Sequence, residues 1–138
     1  MKYMILTYAS QHDYDGMAGE ASDGQAWSPE DFAAMASFME AFNTELADSG
    51  ELVETRALAA PVHTRRLGAQ RGVSFVTDGP YAETQEVLAG YWIVECDSFD
   101  RATEIAGRLA GCPAPEQVVA NAYADVRPIM ESAVELSY

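Results

Sequence analysis

Residues 2–9 alternate with a period of two: Tyr3, Ile5 and Thr7 fall on one side of an extended chain, and Met4, Leu6 and Tyr8 on the other. Apolar bulk on both sides predicts a strand covered on both faces. Residues 10–27 have no period. They are rich in Asp, Gly and Ser and predict a mobile loop. A helical pattern starts at Ser28, which suits an N-cap. Pro29 suits the first helical position, and Glu30 and Asp31 suit the positive end of the helix dipole. Phe32, Met35, Met39, Phe42 and Leu46 step by three and four and form one stripe; Phe38 lies off it. Gly50 ends this helix in the left-handed cap position.

Residues 51–58 predict a weakly alternating strand, broken at 59–61. Residues 62–67 and 73–77 flank Gly68-Ala69-Gln70-Arg71-Gly72, which predicts a hairpin with that segment as its turn. Residues 81–89 link onward with a helical turn. Residues 90–96 give the clearest strand, Tyr91, Ile93 and Glu95 on one face, Trp92, Val94 and Cys96 on the other. Asp97 or Ser98 caps a second helix running to about Ala110, with Phe99, Ala102, Ile105, Ala106 and Leu109 as its apolar face. Gly111 and Pro113 stop it. Residues 114–120 fit no element clearly. Residues 121–129 predict the last strand, and the acidic tail after Met130 a short helix.

Setting the hairpin aside leaves βαββαβ, an α+β, ferredoxin-like order. Both crossovers place their helices on one side of a single sheet. The other side is then bare, although Tyr3, Ile5, Tyr91, Ile93 or their alternates must sit on it. A large exposed apolar face is rare in a monomer. Sheet-to-sheet packing of a second copy covers it, so a homodimer is expected.

The bulk numbers agree with one domain spanning residues 1–138. Nearly half of the chain is apolar (49%), enough for a core without disulfides or metals. The net charge of −14 argues against nucleic acid and anionic membranes as partners. Cys96 and Cys112 lack the spacing of a zinc motif or a disulfide framework, which fits a reduced cytoplasmic setting. The N-terminal run is too short for a signal peptide, and no stretch has the length of a membrane span. No cofactor motif is present, neither a glycine-rich phosphate loop nor a nucleophile with a matching base.

Asp78 is the leading candidate for chemistry. It ends a strand at an Asp-Gly-Pro corner, where Gly79 is expected to be extended ahead of Pro80. It either fixes the turn through its own downstream backbone or acts as a proton acceptor at a pocket mouth. In the second role, apolar Tyr81 and Trp92 around it would raise its pKa. His12 follows the first strand and His63 precedes the hairpin; each suits either a surface position or a pocket at the sheet edge. His12-Asp13 with Asp15 has the residue types but not the spacing of a metal site. Arg65 and Arg66 suit either an anionic ligand or nearby carboxylates. Tyr8, Tyr81 and Trp92 suit a cavity lining or a packed core. Cys112 is a conceivable nucleophile, more plainly an inert thiol.

Met1-Lys2-Tyr3-Met4, Phe42-Asn43-Thr44-Glu45-Leu46, Val76-Thr77-Asp78-Gly79-Pro80-Tyr81-Ala82-Glu83-Thr84, Gly90-Tyr91-Trp92-Ile93-Val94-Glu95 and Val126-Arg127-Pro128-Ile129 together resemble the DGPF branch of the YCII-related family. Tyr81 stands where the motif has Phe. The resemblance implies a dimeric α+β barrel. Members are often encoded near extracytoplasmic-function sigma factors, so the resemblance implies a link to stress signalling. The broader family includes a dehydrochlorinase of an aromatic ring and carries a His–Asp pair. Here Met39 stands at the His position and Cys112-Pro113 at the Asp-Pro position, so that pair does not carry over. The function expected is binding of a small organic molecule between helices and sheet, with proton transfer or elimination, Asp78 as base and Tyr8, His12 or Tyr81 positioning. The alternative is a non-catalytic module beside a sigma factor.

Overall fold

A computed structural model describes residues 1–20 and 26–132. Strand β1 (Lys2–Ala9) leads into a short helix α1 (Gln11–Met17), then the long helix α2 (Pro29–Asp48) and strand β2 (Leu52–Ala57). A 3-10 turn (Pro61–His63) precedes the hairpin β3 (Arg65–Gln70) and β4 (Val73–Asp78). Strand β5 (Val87–Glu95), helix α3 (Phe99–Gly107), a 3-10 turn (Arg108–Gly111), helix α4 (Glu116–Val119) and strand β6 (Ala124–Pro128) complete the order. The four long-range strands form one antiparallel sheet, β2-β5-β1-β6, and the hairpin stands apart as its own two-stranded sheet. This is the ferredoxin-like α+β arrangement with an inserted hairpin.

The register decides which side each residue serves. Tyr3 pairs with Val94 and Ile5 with Trp92, so these four share the face on which α2 and α3 lie. Phe42 and Leu46 of α2 and Ala102, Ile105 and Ala106 of α3 close the core over them. Ile5, Val94, Leu46 and Ile105 are its fully buried centre, each contributing about 1.5–3 kcal/mol by leaving water. Phe38 stacks on Phe42 at 6.2 Å and joins this core from beside the stripe, whereas Phe32, on the stripe, is 47% exposed near the helix start. The opposite face carries Met4 against Ile93 and Leu6 against Tyr91, all half-buried. Tyr3 and Ile5 therefore do not share a side with Tyr91 and Ile93.

Local chemistry explains the boundaries. Ser28 and Asp31 form a reciprocal capping box at the start of α2, and Gly50 follows its end with φ +79. Ser98 caps α3, and Arg101 on that helix grips Glu51 through two bonds of 2.9 and 2.8 Å, tying α3 to the start of β2. That grip holds the Glu51 carboxyl below its ordinary pKa.

Several segments differ from the pattern. Residues 11–17 are helical rather than loop, because Ser10 and Asp13 form a second capping box. The hairpin turn is only Arg71-Gly72, with φ +52 and +80, a pair of left-handed residues that suits the twist of a two-residue hairpin. Gly68 is instead a strand residue beneath Phe75; a Cβ there would lie 2.8 Å from the Phe75 Cζ. Val62 sits in the 3-10 turn, and the link after Tyr81 is shorter than expected, with β5 starting at Val87. The expected tail helix falls mostly on residues 133–138, outside the described residues; Met130 to Ser132 are not helical.

Candidate functional site

The site is assembled around the start of β5. At the bulge in the β1–β5 ladder, Thr7 pairs with Gly90 but Tyr8 with Leu88, so Ala89 is passed over. Leu88 is thereby opposite Tyr8, which continues Met4 and Leu6 on the helix-free side. Helix α1 then braces the next strand end. The Tyr14 hydroxyl donates to the Leu58 carbonyl at 2.8 Å, Gln11 Oε1 accepts from the Val62 amide at 2.8 Å, and the His12 amide donates to the Glu83 carbonyl at 3.0 Å. These three bonds hold both flanks of the hairpin root. Desolvation raises the Tyr14 pKa and keeps the phenol a donor.

Between these braces lies a cleft of about 360 Å3, lined by Leu58, Ala59, Ala60, Pro61, His63, Thr64, Tyr81, Val87 and Leu88. Leu58, Val87 and Leu88 supply an apolar floor; His63, Thr64 and Tyr81 supply polar groups. No residue of α2 or α3 lines it, so it does not lie between the helices and the sheet as expected. It opens at the rim of the helix-free face. The Asp-Gly-Pro corner places Tyr81. Gly79 has φ +58 rather than an extended conformation, and its amide donates to the Thr64 carbonyl at 2.7 Å. Only glycine adopts that conformation readily. The Arg66 guanidinium lies over the Tyr81 ring at 5.1 Å and fixes its outer face.

Of the residues singled out from sequence, Tyr81 and His63 meet in the cleft. Asp78 does not join them. Its carboxylate accepts from Arg65 Nε at 2.8 Å across the hairpin, and its side chain is 75% exposed, so neither an apolar surround nor a turn amide holds it. Trp92 is buried in the core; its Nε1 donates to Asn43 Oδ1 at 2.7 Å and its ring meets Phe42 edge-on. Tyr8 lies beside the cleft, one pairing away through Leu88. Its hydroxyl donates to Asp125 at 2.8 Å, which raises its pKa, and its ring stacks on Tyr123 at 5.4 Å. Tyr123 donates in turn to Glu86 at 2.6 Å, and that carboxylate pushes its pKa up to about 12. His12 stands on α1 with Nδ1 3.8 Å from the Glu83 carboxylate.

The remaining candidates are occupied structurally. Asp13 accepts from the Ser10 amide and Asp15 from Gln11 Nε2. Among the described residues no group of three or more His, Cys, Asp or Glu is placed to hold a metal ion. Cys96 and Cys112 are both free thiols, and burial pushes both upward in pKa, away from the nucleophilic thiolate. Met39 packs against the core. No described helix is long and apolar enough to cross a membrane. Sequence reasoning passed over Gln11, Tyr14, Leu58, Val87 and Leu88. The Ser10-to-Asp13 capping spacing was the available signal for the helix that carries the first two.

The YCII-related domain matches residues 1–131. The chain is also similar to an uncharacterised protein of Rhizobium meliloti (strain 1021), 28% identical over 110 residues, which are 80% of this chain and 81% of that protein.

Proposed function

The chain belongs to the YCII-related family, and on that footing we propose that it is a homodimer that binds a small organic molecule in the cleft beneath Tyr81. The cleft itself carries this reading. Its volume suits a small ligand, and it sets three polar groups against an apolar floor, the usual make-up of a ligand site. His63 brings an imidazole to its wall. In the catalytic form of this reading His63 moves the proton in a transfer or elimination step, and Tyr81 orients the substrate. Asp78, already paired with Arg65, stiffens the hairpin instead of serving as base. The homodimer is supported by the Met4, Leu6, Tyr91 and Ile93 strip on the helix-free face.

Calorimetric titration with a panel of small carboxylic acids and phenols tests the site. Saturable binding that weakens at least tenfold in Tyr81→Ala and His63→Gln is expected. Binding unchanged in both variants, or absent from the whole panel, removes the reading. A second reading has its own observation: the hairpin exposes Leu67, Val73 and Val76 and uses Asp78 internally. It is a non-catalytic interaction module linked to extracytoplasmic-function sigma-factor signalling. A chain that binds no small molecule yet retains a purified sigma factor in a pull-down favours it.

A further inference from the structure

Among the described residues, no other element packs substantially on the β3–β4 hairpin. All twelve strand residues, 65–70 and 73–78, are exposed, including Leu67 (71%), Val73 (69%), Val76 (62%) and Phe75 (37%). A two-stranded hairpin is marginally stable in water when nothing covers it. This one is tied to the body at its root, by the Gly79 amide on Thr64 and by Arg66 over Tyr81. Neither strand packs substantially on another described element. Its two faces are both apolar in part: Leu67 pairs with Val76 on one, and Phe75 covers Gly68 on the other.

The hairpin also differs in charge from the rest of the molecule. It carries three of the chain's eight basic residues, Arg65, Arg66 and Arg71, against one of its 22 acids, Asp78. A basic, apolar arm on an acidic body matches a surface of the same kind as that body. Position and area point the same way. The arm springs from Thr64, which lines the cleft together with Leu88, and Leu88 borders the helix-free face. Four strands about 4.8 Å apart with about five paired residues give that face a plan area of roughly 330 Å2. Even doubled for side-chain relief, this falls short of the about 800 Å2 per partner that stable dimers bury.

We propose that the β3–β4 hairpin is an arm that reaches onto a second copy of this chain, its apolar residues and Arg71 docking on the partner's acidic surface and completing the dimer interface beyond the sheet face. This rests on the homodimer proposed above and adds the arm to it. Once docked, the arm orders the hairpin root, and with it His63, Thr64 and Tyr81 in the cleft wall.

Sedimentation equilibrium on the full chain at low and high salt tests the arm, using Arg71→Glu at the tip, Val76→Ser on the strand and Leu6→Lys on the sheet face. Arg71→Glu stands at an exposed turn and leaves the fold of the body intact, which circular dichroism verifies. The expected result is a wild-type dimer whose dissociation constant rises at least tenfold in Arg71→Glu and in Val76→Ser, with a salt dependence reduced in Arg71→Glu. A wild-type dimer broken by Leu6→Lys but unchanged in both hairpin variants overturns the arm and leaves the sheet-face dimer standing. A wild-type monomer overturns both. A dimer indifferent to the hairpin, whose Arg71 is needed for binding a short single-stranded nucleic acid, assigns the arm to a polyanion and overturns the proposal.

Discussion

Arg65 donates to Asp78 at 2.8 Å across the first rung of the hairpin, and both side chains are largely in solvent. An exposed pair of this kind contributes about 0–1 kcal/mol. Asp78→Asn is therefore expected to lower stability by no more than about 1 kcal/mol in urea denaturation. Calorimetry with the small-molecule panel should give the same affinity as the parent chain. Loss of binding with an intact fold would return Asp78 to the site.

Trp92 gives the opposite expectation. Its indole N–H reaches Asn43 from the middle of β5, inside the core. Trp92→Phe keeps the ring contact with Phe42 but leaves the Asn43 oxygen without its donor. A loss of about 1–3 kcal/mol is expected in the same denaturation experiment. Ligand affinity should stay unchanged, since Trp92 does not line the cleft. A stable variant with altered affinity contradicts this placement.

The alkaline limit of stability should lie with the Tyr123–Glu86 and Tyr8–Asp125 bonds. Each phenol donates only while it is protonated, and the neighbouring carboxylate raises its pKa in the folded state, to about 12 for Tyr123. The unfolded value is about 10. The contribution is thus complete below about pH 10 and is lost as pH rises through the folded value. Glu86→Gln should move the Tyr123 ionisation back toward about 10. Ring-labelled tyrosine NMR across the alkaline range reads this directly. An unmoved Tyr123 titration in that variant refutes the assignment.

The sheet and its two long helices were legible because their patterns agree at every level. Ser28-Pro29 opens α2, Phe42 and Leu46 repeat at helical spacing, and Trp92 and Val94 alternate at strand spacing. The hairpin turn was misplaced because Gly68, Ala69 and Gln70 have poor strand propensity, while Phe75 across the ladder covers Gly68. Helix α1 has almost no apolar period, only its capping residues. Without α1 the cleft was not visible, since Tyr14 and Gln11 hold its wall from a distance of more than 40 residues. The Asp-Gly-Pro motif marks Asp78 in the sequence, but its pairing with Arg65 depends on the hairpin register, which a turn placed at residues 68–72 does not give.

Tyr14 supplies the test of that hidden brace. Its hydroxyl is the link between α1 and the Leu58 carbonyl, and Leu58 is part of the cleft floor. Tyr14→Phe removes the donor and keeps the ring, so the body of the protein should fold normally with a loss of about 1 kcal/mol. The effect should concentrate at residues 58–60, where a carbonyl loses its partner and the strand end is free to shift. Faster amide hydrogen exchange there, together with a several-fold weaker ligand affinity, is the expected pair of results. Asp78→Asn, at the other end of the same hairpin root, should show neither. If Tyr14→Phe leaves exchange at 58–60 unaltered, the wall is held by the Leu58 amide on the Ala89 carbonyl at 2.8 Å and not by α1.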